Sequence, residues 1–512
     1  MIFITPLYLL DWLAFIAFIG VATWYITSPR RRSRAPPGPP PLPLVGNLFD
    51  IPKKKSWVTY ADWSEKYGDI VSVRVFGQTM VVLNSVRAVK DLFERRGAIY
   101  SERPRQTMLE MIGVYDWDYP MMPTDHRWRT GRRITEQGMR PTAIQRLFPV
   151  LQMKAYQFLR LVAQDPDTFS GHIKYATAST MLLLLYGYDA KTLDDDLLSL
   201  AEGLMVVTND VMLPGAVLVN DIPFLRHLPA WLPGMGFKAL AARGRLMGDR
   251  IINDTYRYTR NRMEDGTAGP CLVRDYLESL QENGGSLPRD EQLIKTSIAS
   301  LYAPGSDTTV AALTVLFLAL ALHPEIQDKA QEELHRVLGE GRLPTFEDRS
   351  ALPYVEAICK EVLRWRPPVP LSLPHETAQD DIYEGYLIPK GAVVFGNPWH
   401  ILHDPKTYKN PESFNPSRFI DNHGKVIDDP NISYVFGFGR RICPGRHLAE
   451  SSFWVFAVSV LFAFRISPAK DTAGREIPLL EEFTDTLVSH PEAFECTIVP
   501  RNARIRDLVE SS

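Results

Sequence analysis

The sequence predicts a mainly α fold: a helix-rich domain with small peripheral β-sheets, preceded by one N-terminal transmembrane helix. Three observations carry that reading. Apolar runs at 293–323 and 446–464 are too long for strands and suit buried helices. Alternating valines are confined to 70–83, where Val71, Val73, Val75 and Val81-Val82 mark short strands. From Met1 to Ile26 the chain is dominated by Ile, Leu, Phe, Ala and Trp, with Asp11 the single charge.

Residues 1–28 therefore read as a membrane anchor. Twenty-five residues of helix span roughly 37 Å, against about 30 Å of bilayer hydrocarbon. Arg30, Arg31, Arg32 and Arg34 follow directly and place the rest of the chain on the cytosolic side, with Asp11 nearer the luminal end. A cleaved signal peptide is the alternative. The long apolar span, with no basic segment before it and no small-x-small site after it, favours the anchor. Residues 29–48 form a basic and proline-rich hinge. The run Pro36-Pro37-Gly38-Pro39-Pro40-Pro41-Leu42-Pro43 predicts a stiff extended tether that orients the domain on a lipid bilayer. The other reading is a disordered linker able to bind an SH3-type partner.

Residues 49–512 read as one large domain, because no long Gly/Ser linker divides them. Pro324 ends the helix 293–323 and opens the next, 325–338. The apolar segment 212–237, broken by Pro214, Pro223, Pro229 and Pro233, suggests a membrane-facing substrate lid between two helices. Lys and Arg total 57 against 60 Asp and Glu, a net charge of −3 that offers nothing to a nucleic acid. The four cysteines, Cys271, Cys359, Cys443 and Cys496, are scattered and form no Cys-x-x-Cys pair. That spacing argues against zinc and against a disulfide framework, and fits a reducing compartment.

Cys443 stands apart from the other three. It lies in Phe436-Gly437-Phe438-Gly439-Arg440-Arg441-Ile442-Cys443-Pro444-Gly445, just before the helix 446–464. Gly437, Gly439 and Gly445 allow tight turns and close approach of backbone to a flat cofactor. Peptide N–H groups at the start of the following helix favour an anionic sulfur. Phe436 covers the cluster. The setting suits one thiolate beneath one haem iron, where it pushes electron density onto the metal.

This loop resembles the haem-binding signature of the cytochrome P450 family, Phe-x-x-Gly-x-Arg-x-Cys-x-Gly, at Phe436, Gly439, Arg441, Cys443 and Gly445. Further motifs of that family follow in order, and the texture is similar to membrane-bound fungal (basidiomycete-like) members of secondary metabolism. Glu361-Val362-Leu363-Arg364 resembles its Glu-x-x-Arg motif, one helical turn apart. Arg418, in a segment similar to Pro-x-Arg-Phe, is implied to complete a structural triad with Glu361 and Arg364. Trp128 and Arg132 resemble the Trp-x-x-x-Arg pair. With Arg441 and His375 they are the implied partners of the haem propionates.

On the helix 293–323, Ala303-Pro304-Gly305-Ser306-Asp307-Thr308-Thr309 resembles the oxygen-activation motif. Asp307 and Thr308 are then the catalytic pair: Asp307 relays protons from solvent and Thr308 supplies the hydroxyl. Small Gly305 leaves room on the oxygen side of the iron. Pro304 departs from the pattern. It removes a helical donor to Ser300 and predicts a kink that either widens the oxygen side or displaces Thr308.

The resemblance implies a cytochrome P450 fold, a metal site at Cys443 and haem b (iron protoporphyrin IX) as cofactor. No Rossmann fingerprint or flavin module is present, so electrons from NADPH must arrive through a separate reductase. NADPH–cytochrome P450 reductase, with or without cytochrome b5, is the implied partner. Arg127, Arg129, Arg132, Arg133, Arg440 and Arg446 would steer such an acidic donor. The implied location is the endoplasmic reticulum membrane, single-pass, with the catalytic domain cytosolic. Segments 101–123, 212–237, 368–373 and 484–488 are rich in Met, Leu, Val, Tyr and Trp, and imply a hydrophobic small-molecule substrate. A terpenoid or polycyclic secondary metabolite fits. So does an indole, a sterol, a fatty acid or a xenobiotic. A haem-thiolate isomerase or dehydratase that does not use O2, and a haem ligand carrier or sensor, remain as alternatives.

Overall fold

Strands buried over most of their length build the sheet of the smaller of two compact units, which comprises Met1–Pro104 and Pro374–Asn397. The computed structural model describes residues 15–16, 19–20, 35–212, 215–282 and 287–512, with side chains described for all of these except 287–290. The anchor expected over 1–28 lies outside the described residues, save Phe15, Ile16, Ile19 and Gly20, and so do Arg30 to Arg34.

Helix α1 (Ser56–Tyr67) precedes β1 (Ile70–Val75) and β2 (Gln78–Leu83). These strands pair antiparallel in the register Ile70 to Leu83. The two-residue turn between them holds Phe76 at φ 46° and Gly77 at φ 87°, the left-handed pair that matches strand twist. Later come β3 (His375–Glu376), β4 (Asp381–Tyr383), β5 (Tyr386–Ile388) and β6 (Val393–Gly396). The sheet order is β1-β2-β6-β3, with β6 parallel to β2; β4 and β5 form a separate hairpin. Buried Asn397 donates to the carbonyl of Trp57 and to Asn84, and Asn84 donates to Tyr60, so two amides pin α1 to the sheet.

The proline-rich segment was expected as a stiff tether. Part of it is docked on β1. Ser72 donates its N–H to the carbonyl of Pro37 at 2.8 Å and its hydroxyl to Pro36 at 2.5 Å. Gly38 is required at that crossing: a Cβ there would stand 1.9 Å from the Ser72 carbonyl oxygen. Prolines donate nothing, but their carbonyls still accept.

The second unit, Arg105–Leu373 with Pro398–Ser512, is the helical one. Its longer helices are α2 (His126–Met139), α3 (Phe148–Gln164), α4 (Phe169–Tyr186), α5 (Asp196–Met212), α6 (Phe237–Glu264), α7 (Leu272–Glu282), α8 (Leu287–Leu322), α9 (Pro324–Leu338), α10 (Pro353–Trp365) and α11 (Arg446–Ala463). The expected helix-rich fold with small sheets is what the chain adopts.

Helix α8 is the central element and packs against α2, α4, α5, α7 and α11. Leu313, Leu316, Phe317, Leu318 and Leu320 are fully buried on it, and α11 is buried from Ser451 to Ala463. A helix apolar on every side is buried, either in a protein core or in a membrane. Among the described residues, Glu291–Leu322 is the one helix long and apolar enough to cross a membrane, yet 78% of its most apolar window is buried within the protein. It is a core helix. It also remains helical through Pro304.

A small antiparallel pair, β7 (Phe464–Pro468) and β8 (Cys496–Pro500), closes the far end. Buried Gln327 and Gln331 of α9 donate to the carbonyls of Ile466 and Phe464 there.

Glu361, Arg364 and Arg418 meet at the end of α10. Arg364 grips the Glu361 carboxylate with two bonds of 2.6 and 2.9 Å, and Arg418 Nε adds a third at 3.1 Å. The first two side chains have no solvent exposure and Arg418 has 10%. The backbone N–H of Asn415 donates to the same carboxylate at 2.7 Å. Both guanidiniums spend their remaining N–H groups on carbonyls: Arg364 on Leu402 and Ser413, Arg418 on Lys409, Asn410 and Ser413. Glu361→Gln removes the only counter-charge, among the described residues, from two buried or nearly buried cations. It should destabilise the unit by about 3–5 kcal/mol, measured as a lowered urea midpoint.

Candidate active site

The cysteine loop is closed by its own backbone. Pro430–Phe436 forms a short helical turn, and the Cys443 N–H donates back to the Phe436 carbonyl at 2.7 Å. Gly437 and Gly439 take φ of 85° and 51°, which a side chain would resist. Gly445 stands at the head of α11, where an added Cβ would lie 3.9 Å from Cys443 Sγ. Burial pushes the Cys443 thiol up; the Gly445 N–H, Arg132 and Arg446 oppose that shift by favouring the thiolate. Phe438 is buried beneath the loop, and Cys443 keeps a partly open face.

Helix α2 lies alongside. Asp125 caps it, accepting from the N–H groups of Arg127 and Trp128 at 2.9 and 3.0 Å. Arg132 pairs with Glu136 at 2.6 Å and donates to the carbonyl of Ile442, next to the cysteine. Arg441 donates to the carbonyls of Pro120 and Met122 at 3.1 and 2.8 Å and lies 4.6 Å over the Trp128 ring. Thus Arg441 stacks on Trp128, and Arg132 bonds the residue just before Cys443. His375, expected with them, belongs to the sheet unit. It is buried on β3, with Nδ1 2.6 Å from the Tyr100 carbonyl.

On α8 the buried pattern breaks at the expected motif. Pro304 is exposed, and Gly305, Asp307 and Thr308 are half-buried, although the helix around them is core. Thr308 donates its hydroxyl to the Pro304 carbonyl at 2.9 Å. A Cβ at Gly305 would stand 2.6 Å from the Met181 methyl. Asp307 is engaged by two residues that motif reading missed: Asn209 Nδ2 at 3.1 Å and His490 Nε2 at 3.2 Å. Neither carries a local signal, and Asn209 is 98 residues away in sequence.

These residues fit a haem. Among the described residues, no group of three His, Cys, Asp or Glu side chains could hold a metal ion. A single partly open sulfur in a glycine-shaped loop therefore suits a metal that arrives with its own macrocyclic ligands. The other thiols do not compete: burial pushes Cys271 up to about 11 and Cys496 to about 12, and Cys359 higher still.

Known proteins converge on the same class, haem-thiolate enzymes. The "Cytochrome P450" family profile matches residues 36–497. Cytochrome P450 monooxygenase 208 of Postia placenta is 44% identical over 93% of this chain and 92% of its own. Cytochrome P450 monooxygenase COX2 of Coprinopsis cinerea is 37% identical over 96% and 94%, and claR of Ampulloclitocybe clavipes 38% over 96% and 91%. The chain belongs to the cytochrome P450 family and is a monooxygenase of that family. Its members carry haem on a thiolate and typically use a redox partner and act on hydrophobic substrates.

Arg441→Ala should strand the carbonyls of Pro120 and Met122 and cost about 1–3 kcal/mol, seen as a lower thermal midpoint. Arg441→Lys should recover only part, because one ammonium neither spans both carbonyls nor stacks on Trp128.

Proposed function

We propose that this chain is a reductase-dependent haem-thiolate monooxygenase that oxidises a hydrophobic small molecule, a terpenoid or polycyclic secondary metabolite. The observation that carries the reading is the Asp307–Thr308 pair, half-buried on one stretch of an otherwise mostly buried helix. An enzyme that only rearranges its substrate has no use for an acid and an alcohol at that position.

Cys443 would hold the haem iron through its sulfur, and the Gly445 N–H would moderate the charge on that sulfur. Phe436 limits water around the loop. Gly437 and Gly439, both at positive φ, would let the backbone approach the cofactor closely. Trp128, Arg132 and Arg441 would hold the haem propionates, by an indole N–H and by guanidinium N–H groups. The triad of Glu361, Arg364 and Arg418 holds this side rigid and does no chemistry. When bound, the haem supplies oxygen activation: substrate, O2, two electrons and two protons give oxygenated product and water. The protein's part is to bring those protons. Asp307, partly open to solvent, takes them up. Thr308 has committed its hydroxyl hydrogen to Pro304, so its oxygen is left to act as an acceptor.

Between α5 and α6, Leu218, Phe224 and Trp231 are 60, 66 and 80% exposed, with Arg226 and Lys238 nearby. That mixture of aromatic and basic groups suits the headgroup region of a bilayer, and the segment is the membrane-facing lid of this reading. The setting is the endoplasmic reticulum membrane, with a single N-terminal span and a cytosolic catalytic domain. Exposed Arg129, Arg133 and Arg440 offer a basic face to NADPH–cytochrome P450 reductase, with cytochrome b5 as an accessory donor.

The test is reconstitution of the membrane-bound holoenzyme with reductase and NADPH, supplied with terpenes, indoles, sterols and fatty acids. An oxygenated terpenoid or polycyclic product that requires NADPH is expected; turnover without NADPH would overturn the monooxygenase reading. Cys443→Ser should abolish the long-wavelength absorbance of the reduced, CO-bound protein. Thr308→Ala should release more peroxide per NADPH.

A further inference from the structure

Both oxygens of the Asp307 carboxylate are engaged, and from different elements. Asn209, near the end of α5, donates Nδ2 to Oδ2 at 3.1 Å. His490 Nε2 lies 3.2 Å from Oδ1. Contacts on both oxygens fix the plane of the carboxylate, since turning it about its last bond would break both.

Each partner is itself held. Asn209 is 7% exposed and its Oδ1 is buried with no hydrogen-bond partner. Reversing the amide would set oxygen against the carboxylate, so the side chain keeps an orphan acceptor in order to donate to Asp307. His490 sits on a hairpin closed by the Phe483–Pro491 bridge. Its carbonyl accepts from Thr484 N–H at 2.8 Å, and its own N–H donates to Thr484 Oγ1 at 3.0 Å. Ser489 N–H ties the same hairpin to the Pro368 carbonyl. The His490 ring is 24% exposed and Asp307 20%, so the pair forms a solvent-reaching edge.

We propose that His490 and Asn209 are positioning residues that clamp Asp307 for proton delivery, with His490 forming the edge where protons enter. The inference rests on the reading of Asp307 and Thr308 as the proton path. Its consequence is that the placement of α5 and of the 483–491 hairpin controls how well that path works.

The test needs no organic substrate. Holoenzyme with reductase and NADPH reduces O2 either to peroxide, with one NADPH and one added proton, or to two waters, with two NADPH and two added protons. Peroxide per NADPH therefore reads proton delivery. His490→Leu and Asn209→Leu should each raise it about threefold or more, with the reduced-CO spectrum intact. His490→Gln, which keeps a side-chain N–H, should return most of the difference. In an Asp307→Asn background His490→Leu should add nothing, and the thermal midpoints of the four proteins should show the same non-additivity. Unchanged peroxide in both Leu variants, failure of Gln to rescue, or additive effects would overturn the clamp alone. If Asp307→Asn itself leaves the ratio unchanged, the proton-path reading falls and takes the clamp with it.

Discussion

The helical unit is organised around one buried carboxylate. Glu361 accepts from two arginines and a backbone N–H, and those arginines in turn hold four carbonyls across the stretch 402–413. Removing three charges from water is costly, and only this saturation of donors and acceptors makes the arrangement tolerable. An apolar trio of similar volume could fill the space. It could not dictate where each carbonyl of an irregular segment sits. The segment so fixed leads through Pro416–Phe419 and Pro430–Phe436 into the cysteine loop, so the position of Cys443 depends on the cluster.

The two faces of the proposed haem site are built by different means. Backbone bonds and positive-φ glycines shape the cysteine side, which leaves little to side-chain choice. The Asp307–Thr308 side is built from side chains borrowed from α5, α8 and the 483–491 hairpin. A rigid ligand loop opposite an assembled, adjustable face is a sensible division for a family that keeps one cofactor and varies its substrates.

Legibility in the sequence followed distance along the chain. The cysteine loop, the Glu361–Arg364 turn and the Asp307–Thr308 pair are local patterns, and each lies on the element expected for it. Helix 293–323 was short by six residues at its start, because the structure begins α8 at Leu287, beyond the apolar run. Asn209 and His490 could not be read, since nothing local marks them and only tertiary folding brings them to Asp307. Neither could the use made of Arg132 and Arg441, whose N–H groups go to the nearby carbonyls of Ile442, Pro120 and Met122. The proline run gave its stiffness away in composition, but its docking on Ser72 depends on a strand it does not resemble.

The three remaining cysteines bear on how such an enzyme endures its own chemistry. Imperfect turnover leaks oxidant a few ångströms from the protein's interior, and thiolates are what that oxidant attacks first. Burial keeps Cys271, Cys359 and Cys496 protonated at cellular pH. With its fourth sulfur bound to iron, the chain would present no ready target for sulfenic acid formation, and its working life would be set by damage to the porphyrin before damage to cysteine.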